Sequence, residues 1–475
     1  MRYKFIHVLF VTQVILSLFS ITINTRECRA IENLPQWWTA EFEFNNPGAR
    51  SRGIGGAFAA KADDSTAVVA NPAGLAQLPG LQFYVEGRFS TWDTLEEPWS
   101  GKNQAQFEPV FNMFPPPFTT TRKAEIRNND ITELSFTCIS RAFEIKEIGF
   151  NAAIFYNKIA NNETEMSLPI TIHPSPLAGA IQPSPGFNAD MDLNISEYGL
   201  SIAKSFLKEK LMVGASLSVV HLDLESSFNA TSKDSAGGEQ GVLIPNALIN
   251  EAADINDNDE NLALRIGALY HITDNLTVGA NVQLMPTLDY DVSYFNIIDG
   301  TIPANPINSI ELESSITIPD VYSLGISYQI MPSLTISAEA KYIEYADLLR
   351  EFNFNWGSAY YDFSVDTYDV DDIWESHLGM EYLTSVKEIP VAIRLGGYYE
   401  PAHGLEYDSP ENSPVGIFPG VGDLFEGLMD GGEDILHFTG GAGVVLMNKV
   451  QIDVAADIQD NGKKSSFIIS IAYQH

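Results

Sequence analysis

The chain has 475 residues, 45% of them apolar, and a formal charge of −35. That acidity excludes attraction to nucleic acid or to anionic membrane surfaces as the driving interaction. No run near 18 apolar residues follows the N-terminus, which excludes a helical membrane protein but not a β-barrel, whose strands are only half apolar.

The first thirty residues read as an export signal. Arg2 and Lys4 form a positive end, residues 5–23 are mostly apolar, and Cys28-Arg29-Ala30 supplies small residues at the cleavage positions. His7, Thr12 and Gln13 interrupt the apolar run and no stop-transfer flank follows, so removal after Ala30 is expected rather than an uncleaved anchor. Residues 1–30 carry a net +3, so the mature chain sits near −38. It keeps one cysteine, Cys138, which cannot form an internal disulfide.

Residues 31–80 lack strand alternation. They contain Trp37 and Trp38, then Gly53, Gly55 and Gly56, then Asp63-Asp64-Ser65-Thr66 ahead of an Ala/Val run. The Asp/Ser/Thr cluster is a helix start signal. Asn71 suits a helix N-cap and Pro72 the first helical position. Two very short helices with a bend between them are predicted. Gly53-Ile54-Gly55-Gly56-Ala57-Phe58 superficially suggests a dinucleotide loop, but it lacks the final glycine and any βαβ context.

From Leu81 the pattern changes to segments of about ten residues that are apolar at every second position. Residues 333–342 show the unit: Leu334, Ile336, Ala338, Ala340 and Tyr342 alternate with Ser333, Thr335, Ser337, Glu339 and Lys341. Successive strand side chains point to opposite faces, so such a strand has one greasy and one polar face. Fourteen candidates follow, at 81–93, 130–143, 146–158, 192–206, 210–226, 260–272, 275–290, 311–330, 333–345, 372–384, 389–399, 433–446, 449–459 and 464–474. Short joins (144–145, 207–209, 273–274, 331–332, 385–388, 447–448) alternate with long polar stretches at 94–129, 159–191, 227–259, 291–310, 346–371 and 400–432. The expected fold class is therefore all-β, a transmembrane antiparallel barrel of about fourteen strands over 81–475, its apolar face turned to lipid. An even strand count leaves both ends of the barrel on the short-turn, periplasmic side of an outer membrane. Glu375, His377, Glu381, Arg394, Asp453 and Asp457 fall on the lumen face, and Pro319 predicts a bend.

Chemistry-bearing motifs are absent: there is no G-x-S-x-G, no H-E-x-x-H and no P-loop. Glu375 and His377 could pair as acid and base, but two strand neighbours on one face arise by chance. No enzyme, catalytic residue, cofactor or metal site is expected. Residues 254–259 resemble the start of a calcium loop, yet Asp259 stands where glycine is needed and Arg265 where glutamate is. A weak divalent-cation contact at the acidic stretches (Asp254, Asp257, Asp259, Glu260; Asp369, Asp371, Asp372), or bridging to lipopolysaccharide, stays open.

Three N-terminal runs carry a family resemblance: Ala49-Arg50-Ser51-Arg52-Gly53-Ile54-Gly55-Gly56-Ala57-Phe58, Ala62-Asp63-Asp64-Ser65-Thr66-Ala67 and Asn71-Pro72-Ala73-Gly74-Leu75-Ala76. With Leu264-Arg265-Ile266-Gly267-Ala268-Leu269-Tyr270 and Ile318-Pro319-Asp320 leading into Leu324-Gly325-Ile326-Ser327-Tyr328, the chain resembles the outer-membrane long-chain fatty acid and hydrocarbon transporters of the FadL/TodX type. PorV-like partners of a secretion system look similar over the same N-terminal residues. The resemblance implies a lumen plugged by a hatch (31–80) and passive uptake of hydrophobic molecules. Release would be sideways into the bilayer at a kinked third strand, with Asn71, Pro72 and Ala73 against the kink. Gly149 is the one evident weak point in the predicted third strand. A barrel scaffold or shuttle for secreted proteins and a polar-solute porin are the alternatives, and the cargo is not named by the sequence.

Overall fold

The computed structural model describes residues 42, 44–92, 119–122, 125–128, 130–146, 148–173, 184–233, 242–244, 247–299, 309–349, 368–407 and 431–475. The export signal, Trp37 and Trp38 lie outside them.

Alternation from Leu81 onward builds a closed antiparallel barrel of fourteen strands. They are β1 (Leu81–Trp92), β2 (Ile131–Ile145), β3 (Ile148–His173), β4 (Ser184–Phe206), β5 (Leu211–Lys233) and β6 (Ala247–Thr273), then two broken strands. β7 joins Leu276–Leu284 to Thr287–Asp299, and β8 joins Ser309–Thr317 to Val321–Met331. The rest are β9 (Leu334–Ile343), β10 (Ile373–Val386), β11 (Ile389–Glu400), β12 (Ile435–Leu446), β13 (Val450–Gln459) and β14 (Lys464–Gln474). Closure comes from β1 against β14, in register from Gln82 opposite Gln474 to Trp92 opposite Lys464. At the β10–β11 hairpin Lys387 and Glu388 both take positive φ, 50° and 70°. That is the primed-turn geometry whose twist matches the flanking strands.

Side chains sort as the alternation requires. On β6, Leu262, Ile266, Tyr270 and Ile272 are exposed on the outer wall, while Ala263, Arg265 and Leu269 are buried inside. All six predicted lumen groups, Glu375, His377, Glu381, Arg394, Asp453 and Asp457, are buried. Tyr156 against Tyr198, and Tyr342 between Tyr322 and Trp374, form part of the aromatic border of the apolar band.

One expectation needs correction. Strands β3 to β6 have 26, 23, 23 and 27 residues, against the roughly 9–11 that cross a bilayer. Much of 159–191 and 227–259, read above as loop, is therefore ladder. Outside the membrane both strand faces are polar, so no alternation betrays the strand. The calcium-loop look-alike at 254–259 is extended β6 backbone, in which Asp259 and Asp257 accept the N–H groups of Asp289 and Asp291 at 2.9 and 2.8 Å. The bend at Pro319 is present: β8 breaks at 318–320 and β7 breaks beside it at 285–286. Ile318 N–H donates to Pro286 O, and Met285 N–H to Asp320 Oδ1.

Residues 44–80 sit inside the barrel as helix α1 (Ala49–Gly53), helix α2 (Ala67–Ala70) and a 3-10 turn (Pro72–Gln77). The last two are the predicted pair. Asn71 caps the second, its Oδ1 accepting Ala73 N–H at 3.2 Å.

Candidate functional site: lumen, hatch and wall opening

A stripe of wall glycines lets the hatch backbone touch the barrel. Gly214 faces Gly267 across β5–β6, Gly279 faces Gly325 across β7–β8, and Gly379 faces Gly396 across β10–β11. A Cβ at Gly214 would overlap Pro72, at Gly267 the Asn71 side chain, at Gly279 the Ala59 carbonyl and at Gly379 the Ile54 carbonyl. The hatch is also hydrogen-bonded around the circumference. Glu339 of β9 accepts the N–H groups of Phe58 and Ala59 at 2.8 and 2.7 Å. Asn151 of β3 donates to Leu75 O and Leu78 O, Ser216 of β5 to Val68 O, and Glu86 of β1 accepts Gly48 N–H. Arg50 meets Glu381 of β10 at 3.0 Å and Arg52 meets Asp457 of β13 at 3.0 Å. Arg394 bridges Glu381 and Asp453. Buried charges of opposite sign that are also hydrogen-bonded offset one another's desolvation.

Beside this polar belt lies an apolar compartment. Ile159, Leu193, Ile195, Val220, Leu222, Leu288, Ile318, Val321 and Ile343 turn inward from β3 to β9 and pack together. Phe42 and Phe44 join them from the start of the hatch, ahead of α1, their rings stacked at 5.5 Å. A lumen that only conducted water and polar solutes would gain nothing from this lining.

The wall is interrupted between β2 and β3. Ladder pairing runs from Ile145 opposite Ile148 to Phe136 opposite Asn157, and resumes at Asn128 opposite Thr164. Between them, among the described residues, 131–134 pair with β1 and not with 158–163, and Ser135 is the extra residue where the β1–β2 register shifts. On its other edge β3 slips register against β4 between Lys158 and Ala160, leaving Ile159 as the extra residue of a bulge. Side chains fill the opening: Asn161 Nδ2 donates to Glu133 Oε2 at 2.8 Å. A small cavity there is bordered by Arg88, Glu133, Lys158, Ile159, Ala160 and Lys464. On the outer wall next to it runs an apolar groove of about 580 Å³ between Phe83, Val85, Ile139, Ile154, Ile471 and Tyr473.

Sequence reasoning placed some of this and missed some. Asn71 Nδ2 donates to Ala59 O within the hatch and to Ala268 O of β6, so Asn71, Pro72 and Ala73 lie against β5 and β6, not against a bend in β3. Gly149 pairs regularly opposite Glu144 next to the β2–β3 turn, and a Cβ there would meet nothing within 4 Å. The irregularity of β3 is at Ile159 instead. A bulge leaves little trace in a sequence, because it changes pairing and not composition. The end of alternation after Tyr156 was the available signal. Glu375 and His377 do converge, with Nε2 2.9 Å from the carboxylate, but His377 Nδ1–H donates to Gly55 O at 2.7 Å, so the ring holds the hatch. Asp320, Glu344 and Asp347 bring carboxylate oxygens within 4.8 Å of one another beyond β9. Oxygen ligands of this kind suit a hard cation. Burial, then Asp347, Asp320 and Asp372, push the Glu344 carboxyl above its ordinary range.

Solved structures share this architecture. A Pseudomonas aeruginosa FadL homologue is 14% identical and superposes with a TM-score of 0.55 over 89% of this chain and 98% of that one. The P. putida toluene transporter TodX (14%, TM-score 0.52) and the Ralstonia pickettii toluene transporter TbuX (16%, 0.50) each match over 91% of this chain and 99% of theirs. The chain has the FadL/TodX-type barrel fold. No protein-family model and no curated protein matches it. At this identity the likeness is one of fold, so the functional argument stands on this chain's own lumen.

Proposed function

We propose that the protein is an outer-membrane channel for passive uptake of hydrophobic molecules, with the hatch as plug and a lateral exit through the wall. One observation carries the reading. Ile159 and Ala160 belong both to the apolar lumen compartment and to the border of the β2–β3 opening. A hydrophobe held in the compartment therefore has a route to lipid that avoids water. Each methylene moved from water into hydrocarbon gains about 0.8 kcal/mol, so lateral release favours this cargo over a polar solute. The solved neighbours, described as toluene transporters and a FadL homologue, support the reading without naming the cargo. Asn71, Pro72 and Ala73 serve here as the hatch's seat on β5–β6, and Ile159 replaces Gly149 at the exit.

The test is uptake of labelled oleate and of toluene by outer-membrane-intact cells with and without the protein. Expression should raise entry of at least one of them, and Ala160→Trp, which adds an indole to the border of the opening, should reduce it severalfold. Unchanged uptake on deletion would sink the proposal. Unchanged uptake in the Ala160→Trp protein would place the exit elsewhere.

A further inference from the structure

The long-loop end of the lumen holds a cluster that the channel reading does not use. β11 ends at Glu400, the loop after it carries His403, and His437 lies near the start of the neighbouring strand β12. Acceptors place one proton on each imidazole. His403 Nδ1–H donates to Pro401 O at 2.9 Å, and His437 Nδ1–H donates to Asp457 Oδ1 at 2.9 Å. A carbonyl and a carboxylate can only accept, so each neutral ring keeps its lone pair on Nε2. Both Nε2 atoms approach the same carboxylate: that of His437 is 3.2 Å from Glu400 Oε2, and that of His403 is 3.7 Å from Oε1. His437 is 5% exposed, and its Nε2 makes no hydrogen bond despite the approach. A proton there would complete a hydrogen bond to Glu400, and the geometry does not form one. An acceptor nitrogen buried against an acceptor oxygen is unfavourable unless something electron-poor stands between them.

Imidazole nitrogens with a carboxylate are a ligand set of zinc and its first-row neighbours. A metal-bound histidine characteristically donates its other N–H to a carboxylate or a backbone carbonyl, as both rings do here. Ligand atoms around a tetrahedral zinc ion sit about 3.3 Å apart, near both nitrogen–oxygen distances. Among the described residues only Asp320, Glu344 and Asp347 bring three ligand atoms within 4.8 Å of one another, so an ion here would also draw His403 inward on its loop. A cavity of about 50 Å³ adjoins Glu400, His403 and His437 and has room for a water as fourth ligand. Gln459 Oε1, buried and without a hydrogen bond, lines it as well. Arg52 and Lys464 also border it, and Arg52 is paired with Asp457 at 3.0 Å. The position gives an ion a mechanical role. His403 stacks on Tyr345 at 4.2 Å, and Leu405 packs with Tyr345 in the apolar compartment. Tyr398 stacks on His437 at 4.0 Å, and Asp457 accepts from Tyr398 and from Arg52 of the hatch. Loop, wall and hatch therefore meet at this cluster.

We propose that Glu400, His403 and His437 bind one divalent transition-metal ion of the zinc class, with Asp457 orienting His437, and that the ion pins residues 401–407 to β12. The full chain, purified without an affinity tag in a nonionic detergent and stripped with EDTA, is titrated calorimetrically with zinc chloride. Excess calcium is present throughout to occupy oxygen-only clusters such as Asp320, Glu344 and Asp347. One equivalent of zinc should bind. His403→Gln and His437→Gln should each lose that equivalent, and Asp457→Asn should weaken it about 10–100-fold. Zinc should also slow hydrogen exchange across 401–407 in the wild type and leave it unchanged in His403→Gln. Heat-modifiable gel migration reports the folded barrel in every variant, and His403, being on a loop, keeps the test decisive where His437→Gln fails to fold. Absence of zinc binding by the folded wild type overturns the proposal. So does zinc binding that survives in folded His403→Gln. Zinc binding with no change in exchange across 401–407 overturns the pinning.

Discussion

Glu339 shows how one side chain fixes the hatch. It lies on the predicted polar face of its strand, but its task, accepting two successive hatch N–H groups, follows from a contact across some 280 positions of sequence. Glu339→Gln keeps the shape and loses the charge, which should destabilise the hatch by about 1–3 kcal/mol. Amide exchange at Phe58 and Ala59 should speed up while the barrel keeps its heat-modifiable migration; unchanged exchange would mean the carboxylate is dispensable. Glu344 gives the pH dependence. Its folded-state pKa is raised by burial, Asp347, Asp320 and Asp372, so the folded loop holds the proton more tightly than the unfolded chain does. Stability from this group is present at low pH and is lost as pH rises through the raised value. Hydrogen-exchange protection factors across Tyr345–Leu349, corrected for the intrinsic rise of exchange with pH, should therefore be larger at about pH 4.5 than at about pH 7, and Glu344→Gln should flatten the difference. An opposite trend would put the dominant titration elsewhere.

Among elements, the strands and short turns were legible because a half-buried strand in lipid repeats every second residue. All fourteen predicted strands correspond to strands of the barrel. The tall extensions of β3 to β6 were not legible, since above the membrane neither face is greasy. Nor was the glycine stripe. Gly214, Gly267, Gly279, Gly325, Gly379 and Gly396 are scattered through six strands and become one surface only after the barrel closes. Gly267→Val would drive its side chain into Asn71, an overpacking that typically costs about 1–3 kcal/mol. It should unseat the hatch and raise ion leakage across planar bilayers. Gly149→Val, facing open space, should leave leakage and uptake as they are. Equal behaviour of the two variants would refute the seat assigned to Asn71.

For the whole molecule, the barrel is inverted relative to a soluble one: apolar residues cover the outside, and ion pairs fill much of the inside. With the hatch tied to β1, β3, β5, β6, β9, β10 and β13, the wild-type protein should show low conductance in planar bilayers. Porin-sized conductance would favour the polar-solute reading instead. The sequence by itself determined the barrel, its strand number, its lumen face and a compact helical element ahead of the strands, because these follow from local periodicity and from capping residues close together in the chain; that this element plugs the lumen was implied only by the family resemblance. Tertiary structure alone decided where the plug seats and where β2 and β3 part. Those depend on register between strands distant in sequence, and one slipped residue at Ile159 changes the wall while leaving the composition of every strand untouched.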